Sequence, residues 1–571
     1  MTTEVKHPLV DGKILERLGK VRANENLSIA PSKFLRKVMH TPKGEIELKL
    51  RPYQVQMIYH LLLMTRFIIG DPTGTGKTLM ALATFCYVWE KEPNLRLLIV
   101  TTKSSFRQWA SEIHKFCEGV QPILVEGGPE ARQKIYEDYF ASWDGEKPKV
   151  LITTYARARL DKVELSRFLD APGVEYAMLL DEVAAVKNPS SQLHAAMKEL
   201  GRNAKRMYGI TATLIKNRLD EGYGIYKVIH PHLFKTREDF LKDFCITKMQ
   251  RVGGNRKLKV IVGHTTEHIY KFRQYIFPFY LGRAKHEIAK DLPTLTTRDV
   301  IVDLYQDQWD AYSDALMGLL TLPDVESEDG ERLVETTKLT QLIYTQQIVN
   351  HPKLLELDHA SAKLDALMDL LEEDFEGQKV IIFTRFRKMV DILQAHLESK
   401  GWSLGYTQKG KTCTLREDEV PGFVRVTGDE DSIQRDAAQR AFTQTDTTRI
   451  IFLTMAGSES LNLQQAAAMI FYDLPWSAGD FIQLLGRMIR IGSPMEKVVA
   501  VNLIAKGPQG QKTIDMHVSK TLDKKMNLIE QTLGGQLKNE QDQMITDKSS
   551  DANDLFKALL EDAKDNKRGK A

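Results

Sequence analysis

A chain of 571 residues is too long for one hydrophobic core and, at about 150 residues per domain, divides into three or four units. Its 42% hydrophobic and 27% charged content is ordinary for a folded protein, and a formal net charge of +3 excludes a globally basic chain, so a nucleic-acid surface must come from local placement of Lys and Arg. The scattered Cys86, Cys117, Cys245 and Cys413 argue against a zinc site or disulfide framework, and the absence of an apolar run near ~20 residues or of a signal-peptide core predicts a reducing, intracellular setting away from membranes.

Residues 1–45 are mixed and mildly basic, with Lys13, Arg17, Lys20, Arg22, Lys33, Arg36 and Lys37, and read as a solvated extension or, alternatively, a DNA-contacting flap. A first α/β lobe is expected over 46–232. It opens on LKLRPYQ, where the carboxamide of Gln54 offers the donor and acceptor that an adenine edge requires. The run FIIGDPTGTGKT (67–78) then reads as strand, phosphate loop and helix start. Backbone N–H groups around Gly74, Thr75 and Gly76 suit phosphates, Lys77 can reach the β/γ-phosphates of ATP, and Thr78 can ligate Mg²⁺. Asp71 stands where the usual G-x-x-x-x-G-K-[ST] pattern has its first Gly.

Apolar strands and amphipathic helices alternate afterwards, in RLLIVTTKSSFRQWASEIHKF with Trp109 and in KVLITTYARARL, which predicts a parallel doubly wound sheet with function at the carboxyl ends of its strands. Thr101, Thr102, Lys103, Thr153, Thr154 and Tyr155 fall at such ends, where they suit a sugar-phosphate backbone or ordinary helix capping. YAMLLDEVAAVKNPSS delivers Asp181, suited to holding Mg²⁺, and Glu182, suited to polarising the attacking water. RMYGITATLIKNRLDE ends a strand on Thr211 and Thr213, hydroxyls placed to couple the nucleotide site to the rest of the lobe.

Residues 233–360 change character and read as an insertion and linker. ITKMQRVGGNRKLKVIVG (246–263) predicts a hairpin turning at Gly253-Gly254-Asn255, whose cations Lys248, Arg251, Arg256, Lys257 and Lys259 suit a solvated surface or a phosphate-gripping protrusion. LPDVESEDGERLVE (322–335) reads as an acidic surface loop. A second α/β lobe is expected over 361–535, with strands in QKVIIFTRF, TRIIFLTMAG and AMIFYDLPW, no phosphate loop, and an extra hairpin in 401–425. In FIQLLGRMIRIG, Gln483, Arg487 and Arg490 are spaced for one helical face, and such arginines suit charge on a transferring phosphoryl group. A polar tail, 536–571, carries one short amphipathic helix, DANDLFKALLEDAK.

In this order the segments resemble the motifs of the Swi/Snf family of superfamily-two DNA translocases, over roughly residues 50–530. LRPYQ, DPTGTGKT, SSFRQWASEIHKF, DEVAAVKNPSS with Lys187, Asn188 and Ser191, and TATLIKNRLDE with Asn217, Leu219 and Glu221 are similar to its first-lobe motifs. LGRAKHEIAKDLP and QQIVNHPKLL resemble its middle signatures, and SAKLDAL, VIIFTRF, TMAGSESLNL and QLLGRMIRIGS those of its second lobe. Departures are Ala184 for the usual His, Ser458 and Ser460 for Gly, Gly282 for the first Arg of RR-x-K, and Gly486 before Arg487 for Asp.

The resemblance implies two tandem RecA-like lobes with helical and hairpin insertions, and a monomeric DNA-dependent ATPase using ATP and Mg²⁺ to move along duplex DNA in repair, recombination or fork processing. It implies DNA contacts at Thr102, Lys103, Trp109, Thr154, Tyr155, Arg385, Thr427, Thr454, Asn462 and Trp476. A strand-separating or annealing helicase using a hairpin as wedge, and a non-hydrolysing ATP-gated DNA scaffold, are the competing expectations.

Overall fold

The computed structural model describes residues 7–533 apart from 25–26, 42–43, 144–146, 216–217, 252–256, 284–287, 289–291, 324–330, 334–337, 411, 417, 459–460 and 491–492, together with 545–546 and 559. Contacts divide the chain into two compact units, Met1–Lys290 with Leu528–Ile545 and Asp291–Asn527 with Thr546–Ala571. Among the described residues no helix is long and apolar enough to cross a membrane.

The first unit is built on a seven-stranded sheet. Counting only strands of the two large sheets, these are β1 (Arg66–Ile69), β2 (Arg96–Thr101), β3 (Gln121–Leu124), β4 (Lys149–Thr154), β5 (Tyr176–Asp181), β6 (Arg206–Ile210) and β7 (Tyr280–Leu281). They lie in the order β7-β1-β6-β5-β2-β4-β3, every neighbouring pair parallel. The central strands are continuous apolar runs because helices cover both faces, leaving no solvated side to call for alternation. Helix Lys77–Lys91 is buried from Leu79 to Trp89, which is why LMALATFCYVW is apolar all round. Register pairs Thr101 with Thr154 and Asp181 with Ile210, so the residues that leave β1, β2, β4, β5 and β6 emerge on one edge.

The described part of the N-terminal extension is folded onto the first unit at a few points, with most of its surface exposed. Helix Gly12–Ala23 packs on helix Pro52–Leu63, with Leu18 fully buried. Farther on, Leu35 is buried, and the hydroxyl of Ser32 donates to Glu90 at 2.5 Å. The hairpin expected at 246–263 is present as Ile246–Arg251 antiparallel to Lys257–His264, and its tip lies outside the described residues.

The second unit repeats the architecture with β8 (Thr294–Asp303), β9 (Val380–Phe383), β10 (Ser403–Leu404), β11 (Gly422–Val426), β12 (Thr448–Leu453), β13 (Ala468–Phe471) and β14 (Lys497–Lys506), in the order β8-β14-β13-β9-β12-β11-β10, again all parallel. The expected strands are β9, β12 and β13. The segment 401–425 holds the expected hairpin, Tyr406–Lys409 against Thr412–Leu415, but its last residues belong to β11 of the main sheet. The interval 233–360 supplies one edge strand to each sheet, β7 and β8. In the acidic segment, Thr321–Pro323 pairs with Glu331–Leu333; the residues between lie outside the described set, as does the helix expected at 551–564 apart from Leu559.

A buried polar cluster ties helix Ala362–Asp369 to the sheet of the second unit. Lys363 Nζ is 2.5 Å from Asp515 Oδ2 and donates to Tyr472 O at 2.9 Å. Asp473 accepts from Asn350 Nδ2 (2.6 Å), Thr384 Oγ1 (2.8 Å) and the Arg385 N–H (2.9 Å). Burial raises the Asp473 pKa, against the pull of Arg385 and Lys363. Removing one member of such a pair strands its partner's charge, so Lys363→Met is expected to destabilise this unit by about 3–5 kcal/mol, read as a lower urea midpoint for its unfolding transition. An unchanged midpoint would mean that the cluster is not what anchors the unit.

Candidate nucleotide site

Residues 70–78 leave β1 and turn into helix Lys77–Lys91. Gly74 and Gly76 have φ of +83° and +82°, a region closed to most side chains, and a Cβ on Gly76 would stand 2.7 Å from Gln54 Nε2. The turn is tied at two carbonyls. Thr75 Oγ1 and Lys77 Nζ each donate to Pro72 O at 2.9 Å, while Tyr53 OH and Gln54 Nε2 donate to Thr75 O at 2.9 and 3.2 Å. Gln54 Oε1 accepts from the Arg51 N–H at 2.9 Å, so the carboxamide both caps its helix and braces the loop. Thr78 lies in the first turn of Lys77–Lys91, where helix N–H groups and dipole favour an anion.

Asp71 is fully buried, and its carboxylate is gripped at both oxygens by Arg283, with Nε donating to Oδ1 at 3.0 Å and Nη2 to Oδ2. Its side chain therefore faces the protein, and only its backbone belongs to the loop surface. Gly282, where the resemblance leads one to expect Arg, has a local cause: a Cβ there or on Gly70 would stand 2.2 Å from the hydroxyl of the buried Tyr280.

The β5 end carries the acidic pair. Asp181 Oδ2 accepts from Thr101 Oγ1 and from Trp109 Nε1, both at 2.8 Å, and the Asp181 carbonyl accepts from Tyr155 OH at 2.8 Å. Burial, then the neighbouring Asp181 and Glu182, pushes the Tyr155 pKa well up, keeping the phenol a donor. Glu182 follows with φ 51° and ψ 57°, a left-handed conformation rare for a residue with a side chain and concentrated at functional sites. Its Oε1 lies 3.5 Å from Thr211 Oγ1, which also donates to Thr213 O at 3.0 Å. Ala184 is buried in the short helix after Glu182, and the paired family positions Lys187 and Glu221 meet at 2.7 Å. Asn217 and Ser460 lie outside the described residues.

This geometry corrects the expected DNA-facing set. Trp109 is 2% exposed and orients Asp181, so it is not a surface contact. Tyr155 is likewise buried, and Thr154 Oγ1 caps helix Tyr155–Leu160 by accepting from the Arg157 N–H at 3.3 Å. Lys103 is exposed, and the half-buried Thr102 hydroxyl lies 2.8 Å from Ser104 Oγ.

In the second unit, Gln483 and Arg487 lie on helix Ala478–Met488, which ends before Arg490. The three do not share one continuous helical face; Arg490 Nε instead donates to Gly486 O at 3.1 Å, folding back on the last turn. Arg385 donates to Gln346 Oε1 at 2.7 Å and stacks 5.5 Å from the ring of Trp476, which is 37% exposed. Thr427 and Thr454 are buried at the ends of β11 and β12, where Thr454 Oγ1 donates to Thr427 O at 2.7 Å. Asn462 is half-buried.

The SNF2-related domain family matches residues 53–354, and the helicase conserved C-terminal domain matches 362–492. The chain is similar to the ISWI chromatin-remodeling complex ATPase CHR11 of Arabidopsis thaliana, 26% identical over 474 residues covering 79% of this chain and 40% of that protein. It is similar also to the Chromodomain-helicase-DNA-binding protein 1-like of Danio rerio, 26% identical over 465 residues, with 78% and 40% covered. The chain thus spans about 40% of the length of these curated relatives. Among solved structures, the Sulfolobus solfataricus SWI2/SNF2 ATPase core in complex with dsDNA is 24% identical, with a TM-score of 0.37 over 88% of this chain and 94% of that one.

A side chain at Gly76 meets both the positive φ and the Gln54 amide. Gly76→Ala is therefore expected to weaken binding of a fluorescent ADP analogue by at least ~10-fold while the circular dichroism spectrum is kept. Unaltered affinity would separate this turn from nucleotide binding.

Proposed function

Because the chain belongs to the SNF2 family, we propose that it is a DNA-dependent ATPase that uses Mg²⁺ and ATP to move along duplex DNA. The observation that carries the hydrolytic part is Glu182: a strained left-handed residue beside an Asp181 held by Thr101, Trp109 and Tyr155 is a built arrangement, not a chance acidic pair. The turn at Gly74 and Gly76 fits a triphosphate because its backbone approaches unshielded, and the hydroxyl of Thr78 and the carboxylate of Asp181 are the hard oxygen donors that Mg²⁺ prefers.

In this reading Lys77 binds the β/γ-phosphates, and Gln54, proposed to read the adenine edge, also keeps the loop in register through the Thr75 carbonyl. Glu182 takes the proton of the attacking water as the γ-phosphoryl group is transferred to it, and the Thr211–Thr213 pair responds to that carboxylate. Gln483, Arg487 and Arg490 stabilise charge on the phosphoryl group. Lys103, Thr102, Arg385, Asn462 and Trp476 remain the proposed DNA contacts that are not buried, since phosphate oxygens need a reachable donor and a base needs a reachable ring. Duplex DNA as the track is supported by the family and by the helicase and DNA-binding names of relatives. Repair, recombination or fork processing is the proposed setting.

The hairpin Ile246–Arg251 with Lys257–His264 favours a second reading, a strand-separating helicase using it as a wedge. Unwinding of a forked duplex marks that reading, and displacement of a third strand from an intact duplex marks translocation. Phosphate release would remove the scaffold alternative.

ATP hydrolysis measured with double-stranded DNA, single-stranded DNA and RNA side by side is expected to be stimulated most by the duplex; no stimulation by any of them sinks the proposal. Lys77→Ala and Arg490→Ala should each abolish turnover while DNA binding persists. Trp109→Phe, which keeps an aromatic side chain of smaller size and loses the N–H to Asp181, should lower turnover about tenfold in a folded protein, in line with loss of a hydrogen bond to a charged group. Full activity in Trp109→Phe would return the indole to a packing role.

A further inference from the structure

The first residue of the phosphate loop is connected to the N-terminal helix by a continuous run of part-buried hydrogen bonds. Arg283, which holds Asp71 at both carboxylate oxygens, uses its remaining Nη1 to donate to Tyr53 O at 3.0 Å and to Gln56 Oε1 at 2.5 Å. Gln56 Nε2 in turn donates to Val21 O and Arg22 O, both at 2.9 Å, the carbonyls at the end of helix Gly12–Ala23.

A second route runs in parallel. Arg22 Nη2 donates to Phe277 O and Tyr280 O at 2.7 Å each, and the guanidinium lies 3.7 Å over the Phe277 ring. Tyr280 opens β7, the strand that delivers Gly282 and Arg283. Arg22 Nε also donates to His60 Nε2 at 3.1 Å, while His60 Nδ1 is 2.8 Å from Gln56 O. Burial and the adjacent Arg22 push His60 down to about 3, so its ring is neutral, accepting at one nitrogen and donating at the other.

The helix therefore fixes Arg283 at both ends, through the carboxamide that accepts from its guanidinium and through the strand that carries its backbone. Among the described residues Arg283 is the one hydrogen-bond partner of the Asp71 carboxylate, so a shift in Arg283 moves the first residue of the loop. We infer that Arg283 is a positioning residue for the phosphate loop and that helix Gly12–Ala23, through Arg22 and Gln56, sets the nucleotide affinity of the site. This rests on residues 71–78 binding nucleotide, and it is independent of whether the protein moves on DNA.

The test is titration of the full chain with a fluorescent ADP analogue, without DNA, for Arg22→Met, Gln56→Met and Arg132→Met, with melting temperature measured on each. Arg132 pairs with Asp161 at 2.6 Å on the β3–β4 side of the same unit and serves as the control for lost stability alone. Arg22→Met and Gln56→Met should weaken binding about tenfold, as loss of an outer supporting contact typically does, and Arg132→Met should leave it within about twofold although it melts lower. Equal affinity in all four proteins, or a loss in Arg132→Met as large as in the other two, overturns the inference. Failure of the unaltered chain to bind the analogue overturns the nucleotide reading itself, a result distinct from either.

Discussion

A turn that must present bare backbone to a phosphate has few side chains of its own to keep it open, so most of its support comes from outside. Residues 71–76 are held accordingly, with one clamp, Thr75 Oγ1 to Pro72 O, made inside the turn. The Pro72 carbonyl is taken by Thr75 and Lys77, the Thr75 carbonyl by Tyr53 and Gln54, and the Asp71 carboxylate by Arg283. Each clamp comes from a different element, and one of them lies more than two hundred residues along the chain. Gly74 and Gly76 supply the conformation, but the braces supply its permanence.

The same logic governs the acidic pair and the buried cluster of the second unit. A carboxylate in a low-dielectric setting is costly unless donors surround it, and Asp181 has a hydroxyl and an indole N–H while its carbonyl has a phenol. Asp473 and Asp515 are answered by Asn350, Thr384, the Arg385 N–H and Lys363. These groups are buried because they locate strand ends. Asp473 lies two residues past the end of β13, and Lys363 stands in the first turn of helix Ala362–Asp369. Polar contacts thus set where each sheet's working edge lies, and apolar packing supplies the bulk of the adhesion.

The parallel sheets were legible because both-sided burial writes continuous apolar runs, and β2, β4, β5, β9, β12 and β13 are such runs. Most strands that went unread are ones for which that physics fails, although β14, the buried apolar run KVVAVNLIAK, went unread as well. β7 and β10 are two residues long, β8 is a largely exposed edge with TLTTRDVIVD reading as polar, and β11 carries Arg425, whose charge is answered by Glu430 and Asp391. Among site residues, Lys77, Asp181 and Glu182 were legible from local pattern. Arg283, Gln56 and Arg22 were not, since their meaning lies in pairings 34 to 258 positions apart that no window contains. Trp109 failed for the converse reason: an aromatic on an amphipathic helix reads the same whether its N–H meets a base or a buried carboxylate.

The departures from the family pattern sort by the same criterion. Gly282 follows from Tyr280, whose phenol occupies the volume a Cβ would need, so the missing arginine is the consequence of a neighbouring aromatic and not of a lost function. Ser458 is accommodated because its hydroxyl donates to Met455 O at 3.0 Å within its own turn, leaving Gly457 as the position that must stay small, with its Cβ direction 1.7 Å from Val426 O. Ala184 has no such local replacement. What links the acidic pair to the β6 end is the 3.5 Å approach of Glu182 to Thr211, a long contact set by the left-handed backbone at Glu182. The strained left-handed backbone at Glu182 thus aims its carboxylate, beside the loop that the rest of the unit works to hold still.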